Sequence, residues 1–440
     1  MHKRLTIGLA TVAIVVAACS GGGTAAPSSG GSTGPGASTG PGASGDLAGK
    51  VVKVMMGFSG AEATNLEATL KPFEDSTGID LQYNPVSDMA QQLNVVVEAG
   101  NPPDVALVPQ PGAVKKFAAD GKLFPLPADI LAAVDSNYGP GWKDLATAAD
   151  GKVYGVFHRI NLKAQIFYPK GPFDAAGYKA PTTWDELKTL QDKMVADGTP
   201  PWCVGLDVGW PGTDWVEAIM LRTVGSAGYD KWISHATPFS DPSVKNAFDI
   251  ANKIFTSNTL EFGGPTYAVQ TKWDVPPKLA FETPPKCWLT NMGNFVTAAF
   301  TDEVNAALDD KVGVFTLPAI DAKFGTPALV GGDTTVAFKD APEVWALLKY
   351  MAGPESSIAW AKAGGALFPY KTQDVSNYPT TLYQSFAKAV AEAPDVRFDG
   401  SDLMPPAVGN KSFWVGMLKL AQGADLDTTL TEIDASWPAS

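Results

Sequence analysis

Apolar positions along the chain fall into strand-length runs separated by stretches of helical period. Val51–Phe58 is a mostly apolar run. Residues 62–77 follow with Leu66, Leu70 and Phe73 on one helical face, until Gly78 stops them. Pro72 predicts a kink or a split in that helix. Ile79–Tyr83 reads as a second strand, and Asp88 as the cap of a helix carrying Met89, Leu93, Val96 and Val97 that ends at Gly100. Val105–Val108 is a third strand, and Pro111 opens a helix through Val114 and Phe117. This alternation predicts an α/β fold with a parallel sheet and helical crossovers. Ligands of such sheets gather beyond the C-terminal ends of the strands. Here those ends are Phe58-Ser59-Gly60, Ser87-Asp88 and Pro109-Gln110-Pro111.

Lys152–Tyr168 is a longer extended run in which Arg159, Asn161 and Lys163 share one side. A polar side on an apolar strand is either a cleft wall or a solvated face. Thr183 and Glu186 form a capping-box pattern after Pro181, and Trp184 beside them reads as packing. Asp241-Pro242 starts a helix with Val244, Phe248, Ala251 and Phe255 on one face. Trp202 and Cys203 open a short apolar strand, Gly209–Gly212 read as a loop, and Thr213 or Asp214 as the cap of a helix from Trp215. Trp202 and Trp215 are expected in the core. Trp210, in the loop beside Asp214, is expected to meet a ligand. An aromatic face next to a carboxylate suits a sugar, whose C–H face packs on the ring while its hydroxyls donate to the acid.

Further along, a turn at Gly293 exposes Asn291 and Asn294 as candidate contacts. Val312–Pro318 is a strand, and Leu329–Asp333 reads as the end of another element in a tight glycine turn carrying an acid. Asp340-Ala341-Pro342 caps a helix to Met351, Gly353-Pro354 breaks it, and a further helix carries Trp360. Ser412 is the expected cap of a helix through Phe413, Trp414 and Leu418.

With 45% hydrophobic and 18% charged residues in 440, the chain has material for one large or two medium cores. The formal charge of −13 without a basic patch argues against nucleic acid and anionic lipid headgroups as partners. The N-terminus is more specific. A short basic region, Met1–Arg4, precedes the apolar run Leu5–Ala18, too short to span a bilayer as a mature helix, which reads as an export signal. It ends Val16-Ala17-Ala18-Cys19, resembling a bacterial lipobox, which implies cleavage before Cys19 and a lipid on its sulfur. Residues 20–45 carry no charge and repeat Thr-Gly-Pro-Gly-Ala-Ser, the composition of a flexible tether. The expected location is the outer face of the bacterial cytoplasmic membrane, anchored but not spanning. Cys203 and Cys287 then remain, and in an exported protein such a pair reads as a disulfide.

Catalytic signatures are sparse. Beyond the leader only His158 and His235 remain, so a His-based triad or multi-His metal site has little to draw on. Phosphate-loop, zinc-protease, calcium-loop and nucleophile-elbow patterns are missing. Paired carboxylates such as Asp88, Asp214 and Asp333 leave a glycosidase open by residue type. Recognition asks less of them, and no metal, cofactor or enzymatic activity is expected.

The runs Gly151–Val156, Pro181–Leu187, Trp202-Cys203-Val204-Gly205-Leu206, Trp210-Pro211-Gly212-Thr213-Asp214-Trp215 and Gly331-Gly332-Asp333 resemble extracellular solute-binding proteins of bacterial ABC transporters. Within that group the chain looks most like the alpha-glucoside-binding lipoproteins, and the resemblance covers essentially residues 50–440. It implies a two-lobed periplasmic-binding-protein fold of type II with a ligand cleft between lobes joined by hinge segments. Lobe one would be residues 50–160 plus 317–352, and lobe two 161–316 plus 353–440, with Arg159–Lys163 as the first crossing. It implies second-lobe contacts from Trp210, Asp214, Asn291, Asn294, Phe413 and Trp414. First-lobe contacts would come from Ser59, Asp88, Gln110 and Asp333, with Arg159 and Asn161 at the crossing. The implied protein is a monomer that captures an alpha-glucoside or small oligosaccharide and hands it to membrane permease subunits powered by an ATPase on another chain. A secreted glycosidase, or a receptor for another small solute such as a polyol, are the alternatives.

Overall fold

The strands form where β-branched and apolar residues cluster between helical stretches, and they assemble into two sheets. The computed structural model describes residues 47–139, 141–393 and 395–438. The leader, Cys19 and the tether 20–45 therefore lie outside the described residues. Nine strands are present among the described residues: β1 Val51–Met56, β2 Asp80–Pro85, β3 Val105–Val108, β4 Gly155–Leu162, β5 Gln165–Pro169, β6 Thr290–Met292, β7 Val312–Thr316, β8 Ala328–Ala337 and β9 Val396–Phe398. The larger sheet runs β2-β1-β3-β8-β4, with β9 also on β8, and the smaller runs β6-β5-β7. β1, β2 and β3 are parallel, as the strand–helix alternation predicts. β8 lies antiparallel to both β3 and β4, so the larger sheet is mixed.

The extended run 152–168 is two strands rather than one. β4 ends in the larger sheet, Lys163 and Ala164 turn the chain, and β5 enters the smaller sheet. Ala164 takes φ 58°, the conformation that breaks the pleat. Gly331, Gly332 and Asp333 sit inside β8, not in a turn at its end. A Cβ at Gly332 would lie 2.6 Å from the Arg159 carbonyl, so these glycines serve the close approach of β4.

Helix Gly60–Thr77 runs unbroken through Pro72, whose ring faces solvent, so it is not split. The helix expected from Trp215 starts at Trp210 instead. Gly209, at φ 87°, turns the chain into it, and Pro211 is tolerated in its first turn, where no donor is required. Thr213 and Asp214 are thus inside the helix, not its cap. Ser412 likewise falls inside a π-helical turn, Val408–Phe413, that runs directly into helix Trp414–Ala421.

Two apolar clusters dominate. One gathers β1, β3, β4 and helix Gly60–Thr77, and also takes Trp360, Phe368 and Phe386. The other gathers helices Trp210–Thr223 and Pro242–Phe255 with Phe413, Met417 and Leu430. The stretch from 353 to the C-terminus is thereby shared between the two cores. Trp202 and Trp215 are core residues meeting edge to face at 4.7 Å. Cys203 and Cys287, 84 positions apart, are disulfide-bonded with Cα atoms 5.5 Å apart.

Beside Trp202 the buried Glu261 has no hydrogen-bond partner at either carboxyl oxygen among the described residues. Burial pushes its carboxyl up to about 9. A folded-state value above the unfolded one means the native protein holds a proton the unfolded chain has released. That contribution is complete below the unfolded carboxyl value and is lost as pH rises toward about 9. Glu261→Gln removes this dependence. Its stability gain over the natural protein should grow by about 1.4 kcal/mol per pH unit through the middle of that window and level off above it. Urea unfolding at a series of pH values measures it, and a pH-independent difference between the two proteins contradicts the assignment.

Candidate functional site

A cleft of about 380 Å³ opens where the C-terminal ends of β1 and β3 face helices Trp210–Thr223 and Trp414–Ala421. Strand ends supply one wall, as expected for this sheet type. They bring Phe58, Asp88 and Gln110, with Asp88 also capping helix Met89–Glu98 by accepting from Gln91 N at 3.0 Å. The floor is the polar side of β4, where Arg159, Asn161 and Lys163 all face the cleft. That side is a cleft wall, not a solvated face. Another part of the lining is aromatic: Trp210, Trp273 and Phe295 stand 5.5–6.0 Å apart between ring centroids, and Trp414 lines the same cleft. Gly209 lets this happen, since a Cβ there would sit 2.4 Å from the Trp414 carbonyl oxygen.

Both cations of the floor are already engaged. Arg159 donates from Nε to Asp333 Oδ2 at 2.8 Å, its cross-strand neighbour on β8, and from a guanidinium nitrogen to Glu62. Its guanidinium carbon lies 4.3 Å from the Phe58 ring centroid. Burial opposes the Arg159 charge, but Asp333 and Glu62 more than offset it and raise its pKa. Lys163 donates to Asp214 Oδ1 at 2.8 Å and to Asp399. Burial again opposes the charge, and the surrounding carboxylates lift the ammonium well above its ordinary value.

Around Lys163 the acids outnumber the base. Burial lifts the Asp214 carboxyl, and it lifts Glu217 and Asp402 well above the ordinary carboxylate range, with the Asp399 charge adding to both. Asp399 moves the other way: burial works against its charge, and Lys163 overrides that. Asp214, Glu217 and Asp399 have oxygens within 4.8 Å of one another, a spacing that suits a metal ion. Lys163 occupies two of these acids and the backbone N–H groups of Gly400 and Ser401 occupy the third. The group is therefore built as an ion-pair network.

Of the residues expected from sequence, Asp88, Gln110, Arg159, Asn161, Trp210, Asp333 and Trp414 line the cleft together. Ser59 is exposed at the start of helix Gly60–Thr77, outside the lining. Asp214 stands behind the floor as the partner of Lys163. Asn294 is buried in structural bonds, accepting from Leu162 N at 2.7 Å and donating to the Gly365 carbonyl. Asn291 is buried on β6, away from the lining. Phe413 is fully buried against Trp232, Phe239 and Phe248, since successive residues of a helical turn project about 100° apart and it is Trp414 that reaches the lining.

Sequence reasoning missed Glu62, Asp207, Trp273, Phe295 and the acidic turn Asp399–Asp402. Glu62 follows the first strand end and was within reach of the strand-end rule. The others lie in loops and single turns without periodicity, so nothing local marked them as facing a cleft.

A cleft between two sheet-based lobes, joined by chain crossings and lined with hydrogen-bonding groups and rings, defines a two-lobed solute-binding fold. The chain belongs to the bacterial extracellular solute-binding protein family, whose model matches residues 59–358. It is 39% identical over 90% of its length, and 94% of the relative's, to the osmoprotective compounds-binding protein GgtB of Synechocystis sp.. It is 32% identical over 89% of its length, and 88% of the relative's, to the alpha-glucosides-binding periplasmic protein AglE of Rhizobium meliloti. Among solved structures, the bacterial solute receptor AcbH superposes with a TM-score of 0.78 at 20% identity, over 88% of this chain and 98% of that one. That likeness concerns the fold.

The network makes a quantitative claim. Lys163→Met leaves Asp214 and Asp399 buried without their cation and should cost about 3–5 kcal/mol of stability. Adding Asp399→Asn should recover part of that loss, and the two changes should be non-additive in urea unfolding. Simple additivity contradicts the network.

Proposed function

We propose that this protein is the lipid-anchored receptor of an ABC importer. It captures an alpha-glucoside or small oligosaccharide between its lobes and delivers it to membrane permease subunits driven by a separate ATPase. One observation carries the substrate class: a single cleft is lined both by the rings of Trp210, Trp273, Phe295 and Trp414 and by the carboxyl-bearing residues Asp88 and Asp333. Rings take the C–H face of a sugar while acceptors take its hydroxyls. The volume of about 380 Å³ is near the lower bound for ligand pockets and suits a small glycoside. The relative that binds alpha-glucosides supports this reading. A second reading, a polyol or other osmoprotective solute, is favoured by the relative named for such compounds.

The contacts are proposed as Asp88, Gln110, Arg159, Asn161, Trp210, Asp333 and Trp414, with Asp214 acting from behind through Lys163. The lobes are proposed to meet at the Lys163–Ala164 crossing and at the segments linking β7 to β8 and following β9, with closure favoured by contacts to both. Cys19 is the proposed lipid site and residues 20–45 the tether, with the monomer as the working unit. Among the described residues no helix is long and apolar enough to cross a membrane, which suits attachment by lipid. The protein is proposed to return its ligand chemically unchanged, a reading that its solute-binding family supports.

Isothermal titration against a panel of alpha-glucosides, small oligosaccharides and polyols, with recovery of the ligand afterwards, tests this. Saturable binding of one panel member recovered intact is expected. Trp414→Ala and Asp333→Ala should each weaken it by about tenfold or more. Turnover of a glycoside, or unchanged affinity in both variants, rejects the proposal.

A further inference from the structure

The turn Asp399-Gly400-Ser401-Asp402 leaves β9 and enters the floor of the cleft, where Asp399, Ser401 and Asp402 all contribute to the lining. Its backbone is fixed from behind. Glu217, fully buried on helix Trp210–Thr223, accepts from Gly400 N at 3.0 Å with one oxygen and from Ser401 N at 2.9 Å with the other. Tyr229 donates to the Phe398 carbonyl, and its hydroxyl would lie 2.7 Å from any Cβ at Gly400, so the turn cannot carry a side chain there. Asp399 accepts from Ser401 Oγ at 2.9 Å and Asp402 N at 3.0 Å through one oxygen, and from Lys163 through the other. These bonds fix the turn without using one of its carboxyls.

That carboxyl is Asp402. Three acids lining the cleft are buried: Asp333, Asp399 and Asp402. Asp333 pairs with Arg159 and Asp399 with Lys163, while Asp402 has no ion-pair partner among the described residues. Burial lifts its carboxyl, and hydrogen bonding by the Gln110 side chain, also in the lining, works against that. Gln110 Oε1 itself is buried and unpartnered. A buried acid held rigidly in a cleft without a cation keeps acceptor capacity that a hydroxyl of the ligand fills.

We propose that Asp402 is a specificity-determining contact that accepts a hydrogen bond from one hydroxyl of the solute, and that Glu217 is the positioning residue that aims it. This rests on the reading of the cleft as a carbohydrate site. The two walls are then read differently: the rings fix the sugar face, and Asp402 fixes which hydroxyl lies at the floor.

The test is a titration cycle with methyl alpha-D-glucopyranoside and its monodeoxy derivatives, on the natural protein, Asp402→Ala and Glu217→Gln. Asp402→Ala, which removes the acceptor, should weaken the parent glucoside by about tenfold or more. It should cost nothing further in the one derivative lacking the hydroxyl it reads. Glu217→Gln, which keeps one acceptor for the turn, should show a smaller loss with the same pattern across the series. An equal loss in every derivative, the mark of a merely structural role, overturns the proposal, and so does no loss at all. Should the natural protein bind sorbitol and not the glucoside, the carbohydrate reading fails by itself. The same cycle with sorbitol and deoxysorbitols then decides the role of Asp402.

Discussion

A single buried ammonium holds the floor of this cleft together. Lys163 stands where β4 leaves the larger sheet, and it reaches Asp214 on helix Trp210–Thr223 and Asp399 after β9. Three segments far apart in sequence thus meet on one charge. A lysine so placed is stable only because carboxylates surround it, and those carboxylates are stable together only because it is there. Glu217 extends the arrangement by gripping the backbone of the next turn. The second cation, Arg159, does the same for Asp333 and Glu62 two positions back along the same side, beyond Asn161. The polar face of a single strand therefore organises both sides of the site.

This has a functional consequence. With both cations saturated, the cleft offers a solute mainly acceptors and ring faces. Buried acceptor oxygens without partners remain on Gln110, Asn161 and Asp207, all in the lining. A solute rich in hydroxyl donors with an apolar face satisfies both surfaces at once. The preference we propose for such a solute rests on these charges being spent internally, and the family to which the chain belongs is one of solute-binding proteins.

Much of the first sheet was legible in the sequence, because its strands and helices have clear periods and caps. Asp88 behaves as the cap it resembled, and the Thr183–Glu186 capping box is formed. The alternation of Arg159, Asn161 and Lys163 placed three polar residues on one side, and the fold made that side the floor. Errors arose where local signals compete with tertiary contact. Gly209-Trp210-Pro211-Gly212 reads as a loop, yet glycine at positive φ and proline in a first turn also begin a helix. Gly331-Gly332 reads as a turn, yet the glycines make room for a neighbouring strand. Phe413 and Trp414 are adjacent in sequence, and helical geometry sends one to the core and the other to the cleft. Trp273, Phe295 and the 399–402 turn carry no periodic signal, so only the folded chain brings them to the site.

A crystal structure of the protein grown with its bound solute tests the central claim most directly. The account predicts the solute between the Trp210–Trp414 wall and the Asp88–Asp333 side, with the Lys163 ammonium still shared by Asp214 and Asp399. A solute bound elsewhere on the molecule, or a Lys163 side chain swung away from both acids to meet the ligand, would contradict it.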